Sequence, residues 1–295
     1  MKYYSLNQYS MDNYGKKLYK LSINAGFTCP NRDGKIGTSG CIFCDGDGAG
    51  HFAGKYTDSI NSQLKAQKEL ISNKLPKNKP YGFIAYFQAF TNTYAPVEIL
   101  KEKYMEAVND SDIEIISIAT RPDCLSDEII ELLSKINTIK PVWVELGLQT
   151  IHKKTAAYIR RGYDLNVYDD AIRKLTNIGI TQIITHLIIG LPGETKKDIL
   201  DSVDYVVNAG TTGIKLQLLH VLKNTDLCND YENGLFSTLT MDEYIDILKA
   251  CIEHIPSTIV IHRLTGDGSK KNLVAPLWSA DKKSVLNAIN KALSV

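Results

Sequence analysis

The strongest constraint on the fold is an alternation that runs along almost all of the 295-residue chain. Short apolar runs of strand character are followed by amphipathic runs of helix character. KLYKLSIN (17–24) alternates as a strand does, and residues 58–73 read as a helix with Asp58 or Thr57 at its N-cap. KLPKNKP (74–80) is a turn. YGFIAYF (81–87), IEIISIA (113–119), VWVELGL (142–148), TQIITHLII (181–189) and TGIKLQLLH (212–220) read as further strands. Helical stretches near 96–108, which opens with Pro96, and near 126–136, 152–160, 166–178 and 195–208 separate them. A helix near 240–254, a short strand STIVIH (257–262) and a helix near 281–293 complete the pattern.

Six consecutive strand–helix units imply a parallel sheet with right-handed crossovers. The strands are nearly continuously apolar, as strands covered on both faces are. Six units fall short of the eight of a closed barrel. The expected fold is therefore α/β, a partial (β/α)6 TIM-like barrel with short N- and C-terminal extensions. The boundaries are a single domain over 1–295, with a core at about 17–262 and a C-terminal extension at about 263–295. A composition of 44% hydrophobic and 23% charged residues is ordinary for a globular protein. The formal net charge of +1 advertises no nucleic-acid partner by global field, although a local basic patch would suffice for one. The N-terminal residues lack the apolar core of a signal peptide, and no run approaches the 18 apolar residues of a membrane span. A cytoplasmic location is expected.

In parallel α/β barrels the active site is built by the loops after the carboxyl ends of the strands. Here those loops hold the unusual sequence: a cysteine loop after the first strand, QAFTNTYAP (88–96) after the second and TRPDCL (120–125) after the third. ELGLQT (145–150), GLPGE (190–194) and LHVL (219–222) mark the ends of the next three. The cysteine loop reads CPNRDGKIGTSGCIFC, a C-x11-C-x2-C pattern formed by Cys29, Cys41 and Cys44. Three thiolates suit three irons of a [4Fe–4S] cluster and leave the fourth iron open, which is where S-adenosylmethionine (SAM) can chelate. With His51 the same loop also fits a tetrahedral Cys3His zinc site, and spacing alone does not separate the two. Its position after the first strand of an alternating barrel favours the cluster.

The long first spacing, with CPNRDG before and GCIFC after, resembles the YtqA/YhcC-type radical SAM proteins, relatives of the catalytic subunit of Elongator. The resemblance runs from about residue 5 to 285 and includes YFQAFTNTYAPVE, TRPDCL, VELGLQT, GLPGE and RLTGDG. It implies a radical SAM barrel holding a [4Fe–4S] cluster on Cys29, Cys41 and Cys44. It also implies SAM as cofactor, and an electron donor such as a flavodoxin or ferredoxin. Phe43 stands where such loops carry an aromatic residue near the adenine. ELGLQT resembles the E-x-G-x-Q-S segment of coproporphyrinogen-oxidase-like and Elongator-like enzymes, which puts Glu145 and Gln149 at the methionine end and ribose of SAM. Arg161 has the spacing from Gln149 of the arginine that pairs with the SAM carboxylate, with Arg160 as its adjacent competitor. GLPGE supplies glycine backbone, at Gly190, that can approach a ligand closely without a Cβ, and LQLLHVL is expected to line the adenine side with His220 as its polar residue. The glycine-rich segment common after the second strand is replaced by QAFTNTYAP, so Gln88, Thr91 or Asn92 stands in its place.

Cys124, Lys215 and Arg263 are the candidate catalytic residues: a cysteine in a rim motif, and two charges in otherwise apolar strands. Asp267, in the turn TGDG, is a further candidate for closing the rim. Cys228 and Cys251 read as small buried hydrophobes. The resemblance implies a transfer RNA substrate, with processing of a carboxymethylaminomethyl group toward aminomethyl at the wobble uridine. The basic pairs Lys153–Lys154, Arg160–Arg161, Lys196–Lys197 and Lys270–Lys271 are candidates for meeting phosphates. The alternatives are a radical SAM enzyme acting on a peptide or small metabolite, and a zinc-stabilised binding module.

Overall fold

Seven strands form one parallel sheet in the computed structural model, which describes residues 3–46, 48, 50, 53–266, 268 and 270–294. His51 and Asp267 lie outside the described residues. Strands β1 (Lys17–Ile23), β2 (Tyr81–Phe87), β3 (Ile113–Thr120), β4 (Val142–Gln149), β5 (Gln182–Ile189) and β6 (Gly213–Leu218) lie side by side in chain order. The chain then forms the short β7 (Val221–Leu222) and returns as β8 (Val260–Arg263), parallel to β6. β9 (Leu273–Ala275) pairs antiparallel with β7. The sheet curls into an open half-barrel, tightly enough for Lys20 on β1 to reach Glu145 on β4.

The expected partial barrel is therefore the observed fold, with one addition. STIVIH, read as a short closing strand, joins the main sheet as its seventh member. A register shift between Ile214 and Lys215 sets Arg263 opposite Lys215 there. That irregularity turns Arg263 into the barrel.

The helices are α1 (Leu6–Tyr14), α2 (Ile60–Ile71), α3 (Val97–Val108), α4 (Asp127–Asn137) and α5 (Lys153–Tyr158). They continue with α6 (Leu165–Asn177), α7 (Lys196–Asn208), α8 (Asp226–Glu232), α9 (Met241–His254) and α10 (Lys282–Leu293). α2 is capped by the Ser59 hydroxyl, which accepts from the Ser62 N–H at 3.2 Å, not by Asp58 or Thr57. Capping boxes, Thr195 with Asp198 and Thr240 with Glu243, fix the starts of α7 and α9. Outward-facing side chains such as Leu21, Ala85, Ile116 and Val144 pack with the helices into the main apolar core.

The sequence reading had no counterpart for α1, whose nine residues are mostly polar. It caps the amino-terminal end of the half-barrel. Leu6, Tyr9 and Tyr14 pack on Leu18, Ile84, Ile115, Trp143 and Ile184, and Tyr9 meets Trp143 edge-on with ring centroids 5.8 Å apart. Each large apolar side chain fully buried there contributes about 1.5–3 kcal/mol. The floor of the barrel is thereby closed, and access to its interior is left to the carboxyl-terminal rim.

Candidate active site

The inner faces of such barrels are usually filled by layers of branched apolar side chains. The layer above the Trp143 floor is polar instead. Each of the seven strands supplies one side chain to it, starting with Lys20, Tyr86 and Ser117 from β1 to β3. Glu145 follows from β4, His186 from β5, Lys215 from β6 and Arg263 from β8. Glu145 is the hub. Its Oε1 accepts from Lys20 Nζ at 2.6 Å and from Ser117 Oγ at 2.9 Å. Its Oε2 accepts from His186 Nε2 at 2.9 Å and from Lys215 Nζ. The Lys215 ammonium also donates to the Tyr86 hydroxyl at 3.1 Å. Lys20 and Lys215 each stand 4.6 Å from the centroid of the Tyr86 ring.

The electrostatics follow from burial and crowding. Burial would raise the Glu145 carboxyl, but Lys20, Lys215 and His186 hold it well below the usual carboxylate range. Burial pushes Lys215 well below the usual lysine range; Glu145 opposes this, and Lys20 and Arg263 add to it as like charges. Burial, followed by the charge of Lys215, pulls His186 down to about 4. His186 is therefore neutral near pH 7, and its Nε2 carries the proton given to the Glu145 carboxylate. A buried polar layer of this kind costs desolvation that an apolar layer would not.

Above this layer opens a cavity of about 270 Å³, with Tyr86, Glu145, His186, Lys215 and Arg263 toward its floor and Cys29, Cys41 and Cys44 in its wall. The cysteine loop is stitched to the rim. The Ile42 N–H donates to Ile159 O at 3.3 Å, and Ile42 O accepts from the Leu227 N–H at 3.0 Å. Arg32 donates from Nη2 to Cys44 O at 2.9 Å and also reaches Asp45 O. Asn31 Nδ2 bonds Arg160 O at 2.6 Å and lies 3.5 Å from Cys41 Sγ.

The donor set fits an iron–sulfur cluster. All three sulfurs are soft donors, and none is in a disulfide. Burial raises Cys41, against the Arg121 guanidinium. Burial and the neighbouring Cys41 push Cys44 up to about 12, against Arg32. A bound metal would take the place of the Cys41 and Cys44 thiol protons. Among the described residues no three Cys, His, Asp or Glu side chains converge on a point that one metal ion could occupy. Thiolates spread over three irons of one cluster need no such convergence.

Phe43, Gln88, Gln149, Arg161 and His220 all line this cavity, as do the candidates Lys215 and Arg263. Thr91 lines it too, whereas Asn92 turns away and donates to Phe87 O and Ala119 O at 3.1 and 2.9 Å. Gln149 has a left-handed backbone, φ 72°, at an irregularity in the β4–β5 register. Gly147 leaves room for its amide, since a Cβ there would fall 3.0 Å from Gln149 Nε2. Of the two adjacent arginines only Arg161 faces the cavity. It is held by Thr150 O at 2.6 Å from Nη1, and by Tyr163 O from Nε and Nη2. Arg160 turns outward to Asp226, 2.5 Å away.

Three of the expected site residues have other surroundings. Glu145 lines the cavity, and four protein donors already meet its two oxygens. Gly190 does not line the cavity; a Cβ there would meet Leu239 at 3.1 Å, so this glycine serves helix and loop packing. Cys124 is also absent from the lining. The short turn after β3 buries it, while Arg121, buried too, lines the cavity and pairs with Asp123 at 2.8 Å. Sequence reasoning passed over Arg121, Lys20 and His186. The signal was available for the last two, as polar residues at inward positions of apolar strands.

A curled parallel half-barrel with three cysteines at the carboxyl-terminal mouth of its cavity is the architecture of a cluster-dependent radical enzyme. The chain belongs to the radical SAM superfamily: residues 26–206 match the family described as Radical SAM superfamily, and 211–294 match the Radical_SAM C-terminal domain. Its cofactors are a [4Fe–4S] cluster and SAM. The chain is 42% identical over 292 residues to YtqA of Bacillus subtilis, covering 99% of this chain and 89% of that protein. It is 35% identical over 282 residues to YhcC of Escherichia coli K12, covering 95% and 89%. More distantly, it is 24% identical over 159 residues to the tRNA uridine(34) acetyltransferase of Methanocaldococcus jannaschii, covering 52% and 28%. Among solved structures, Elp3 of Methanocaldococcus infernus superposes with a TM-score of 0.68 at 16% identity, over 94% of this chain and 63% of that one. Among the described residues no helix is long and apolar enough to cross a membrane.

Proposed function

We propose that this radical SAM enzyme modifies transfer RNA, acting on the C5 side chain of the wobble uridine and taking a carboxymethylaminomethyl group toward aminomethyl. The observation that carries the reading is the relationship to the tRNA uridine(34) acetyltransferase within the half of the chain that aligns with it. The rim adds a physical argument. Lys153 and Lys154 begin α5 just after the β4 rim, while Lys270 and Lys271 follow the cavity-lining Gly266 and Gly268. All four are exposed and have no ion-pair partner within 4 Å among the described residues, so they can meet phosphates. The other basic pairs are engaged: Lys196 with Asp246, Lys197 with Asp201, Arg160 with Asp226, and Arg161 with backbone carbonyls.

Cys29, Cys41 and Cys44 would hold the cluster. Held there with SAM bound, it would supply one-electron reductive cleavage of SAM, with the electron coming from a donor such as a flavodoxin or ferredoxin. The chain's own residues bind and orient. Arg161 retains two N–H groups beyond those given to Thr150 and Tyr163, enough for the SAM carboxylate. Gln149 and Gln88 offer amides to the ribose and methionine ends, and Phe43 and His220 offer rings to the adenine. Gly266 and Gly268 let their loop close over His220, since a Cβ on Gly266 would fall 2.6 Å from its Cε1.

The test is incubation of reduced, cluster-loaded enzyme with SAM and bulk transfer RNA, followed by nucleoside analysis and by binding at several salt concentrations. The reading expects loss of carboxymethylaminomethyluridine, a steep salt slope, and a shallower slope for the Lys153→Glu/Lys154→Glu variant. An unchanged nucleoside profile with salt-independent binding contradicts it and points to a peptide or small-metabolite substrate.

A further inference from the structure

Asn31, two residues after Cys29, is buried at 3% exposure and is absent from the cavity lining. Its side chain nevertheless touches two parts of the site. The Nδ2 amide donates to Cys41 Sγ at 3.5 Å, and across 129 residues of chain to Arg160 O at 2.6 Å. The orientation of the carboxamide follows from these partners. Neither a metal-bound thiolate nor a carbonyl can donate, so a rotated amide would set Oδ1 against two acceptors. As placed, Oδ1 has no hydrogen-bond partner among the described residues, and a Cβ on Gly162 would fall 3.1 Å from it. The backbone supports the same arrangement. Asn31 O accepts the Gly40 N–H at 2.7 Å, one residue before Cys41, and so closes the long spacer of the cysteine loop.

The far end of the link is the turn at 160–162. Arg160 and Gly162 both have left-handed backbones, φ 59° and 80°. Asn31 holds Arg160 O, and Arg121 Nη2 holds Arg161 O at 2.8 Å. A non-glycine residue persists in that conformation where its surroundings fix it, and from this turn Arg161 enters the cavity wall.

We propose that Asn31 is a positioning residue that joins the cluster to the SAM site: one N–H of its carboxamide bonds the sulfur of a cluster ligand, and the other holds the turn that presents Arg161. Two effects follow. A hydrogen bond to a ligating sulfur favours the more negative, reduced form of an iron–sulfur cluster, so the Asn31 amide raises the reduction potential. A fixed Arg160 carbonyl keeps Arg161 in place before SAM binds, which lowers the ordering cost of binding. The inference rests on Cys41 as a cluster ligand and on nothing about the substrate.

The experiment uses full-length protein purified without oxygen and reconstituted with iron and sulfide. Wild type is compared with Asn31→Leu, which keeps the size of the side chain and removes both N–H donors. Midpoint potentials are read by EPR-monitored titration without SAM, and SAM affinity by equilibrium dialysis of the unreduced protein. Asn31→Leu is expected to hold iron and sulfide as wild type does and to be about tenfold harder to reduce, a potential about 59 mV more negative. It is also expected to bind SAM about threefold more weakly or worse. A second measurement needs no variant: wild type carrying asparagine labelled with nitrogen-15 at the side-chain amide is expected to show a nitrogen-15 coupling in pulsed EPR of the reduced cluster. Equal potentials at equal cluster content overturn the inference, as does absence of that coupling. A lowered potential with unchanged SAM affinity overturns the link to Arg161. Failure of wild type to hold iron and sulfide overturns the cysteine assignment, and this inference with it.

Discussion

Lys20 on the first strand and Glu145 on the fourth meet inside the barrel, with Nζ and Oε1 2.6 Å apart and 125 residues of chain between them. Glu145 is fully buried and carries the counter-charge for Lys215 as well. Its replacement by the isosteric glutamine leaves two ammonium groups without it. Glu145→Gln is expected to lose about 3–5 kcal/mol in urea unfolding, the usual cost of breaking a buried ion pair from one side. The double variant Glu145→Gln/Lys215→Met is expected to regain part of that loss. Additive losses in the double variant would show that the pair is not coupled.

His186 sets a pH dependence. Its pKa is about 4 in the fold and 6.5 unfolded, so the unfolded chain takes up the proton first as pH falls. Stability present above pH 6.5 is therefore lost between pH 6.5 and about 4, on the order of 3 kcal/mol for this residue. His262, also held low by burial, acts in the same direction. Glu145 adds its share only below its unfolded value of 4.5. Unfolding free energies at pH 7, 6 and 5 should fall steeply for wild type and less steeply for His186→Gln. Parallel slopes contradict the assignment.

Gln149 adopts a conformation that glycine takes at little cost. Gln149→Gly is expected to keep its stability or gain up to about 1 kcal/mol. It should bind SAM about tenfold more weakly, having lost one hydrogen-bonding amide. Equilibrium dialysis with labelled SAM, set beside a thermal melt, reads both. Weaker folding with unchanged SAM affinity would mean that the amide has a structural role only.

The adjacent arginines should separate cleanly. Arg160→Ala removes an exposed pair with Asp226 and is expected to cost less than about 1 kcal/mol of stability, with SAM affinity intact. Arg161→Lys keeps a charge but loses the planar fork, and SAM affinity is expected to fall by about tenfold or more. The reverse ranking in the same dialysis experiment would assign the carboxylate contact to Arg160.

The strands were legible because both of their faces are buried, which makes them continuous apolar runs such as YGFIAYF and VWVELGL. The cysteine spacing marked a metal-binding loop for the same kind of local reason, and its place after the first strand pointed to a cluster. Other features depend on contacts that local pattern does not encode. LNQYSMDNY is too polar to announce α1, which is held by the open end of a barrel that exists only after the strands associate. Lys215 stood out as a charge in an apolar strand, but its partner Glu145 was assigned to the cofactor. Whether Glu145 meets SAM or Lys20 is decided by register across four strands. Of Arg121 and Cys124, three residues apart and both buried, only Arg121 lines the cavity, a difference set by the short turn between them.

The most direct test of the account is 5′-deoxyadenosine formation by protein purified without oxygen, reconstituted with iron and sulfide, reduced and supplied with SAM. Wild type is compared with the Cys29→Ala, Cys41→Ala and Cys44→Ala variants. The account predicts the nucleoside from wild type and none above background from any of the three. A wild type that holds zinc in place of iron and sulfide and yields no 5′-deoxyadenosine, or cysteine variants that yield it undiminished, would contradict it.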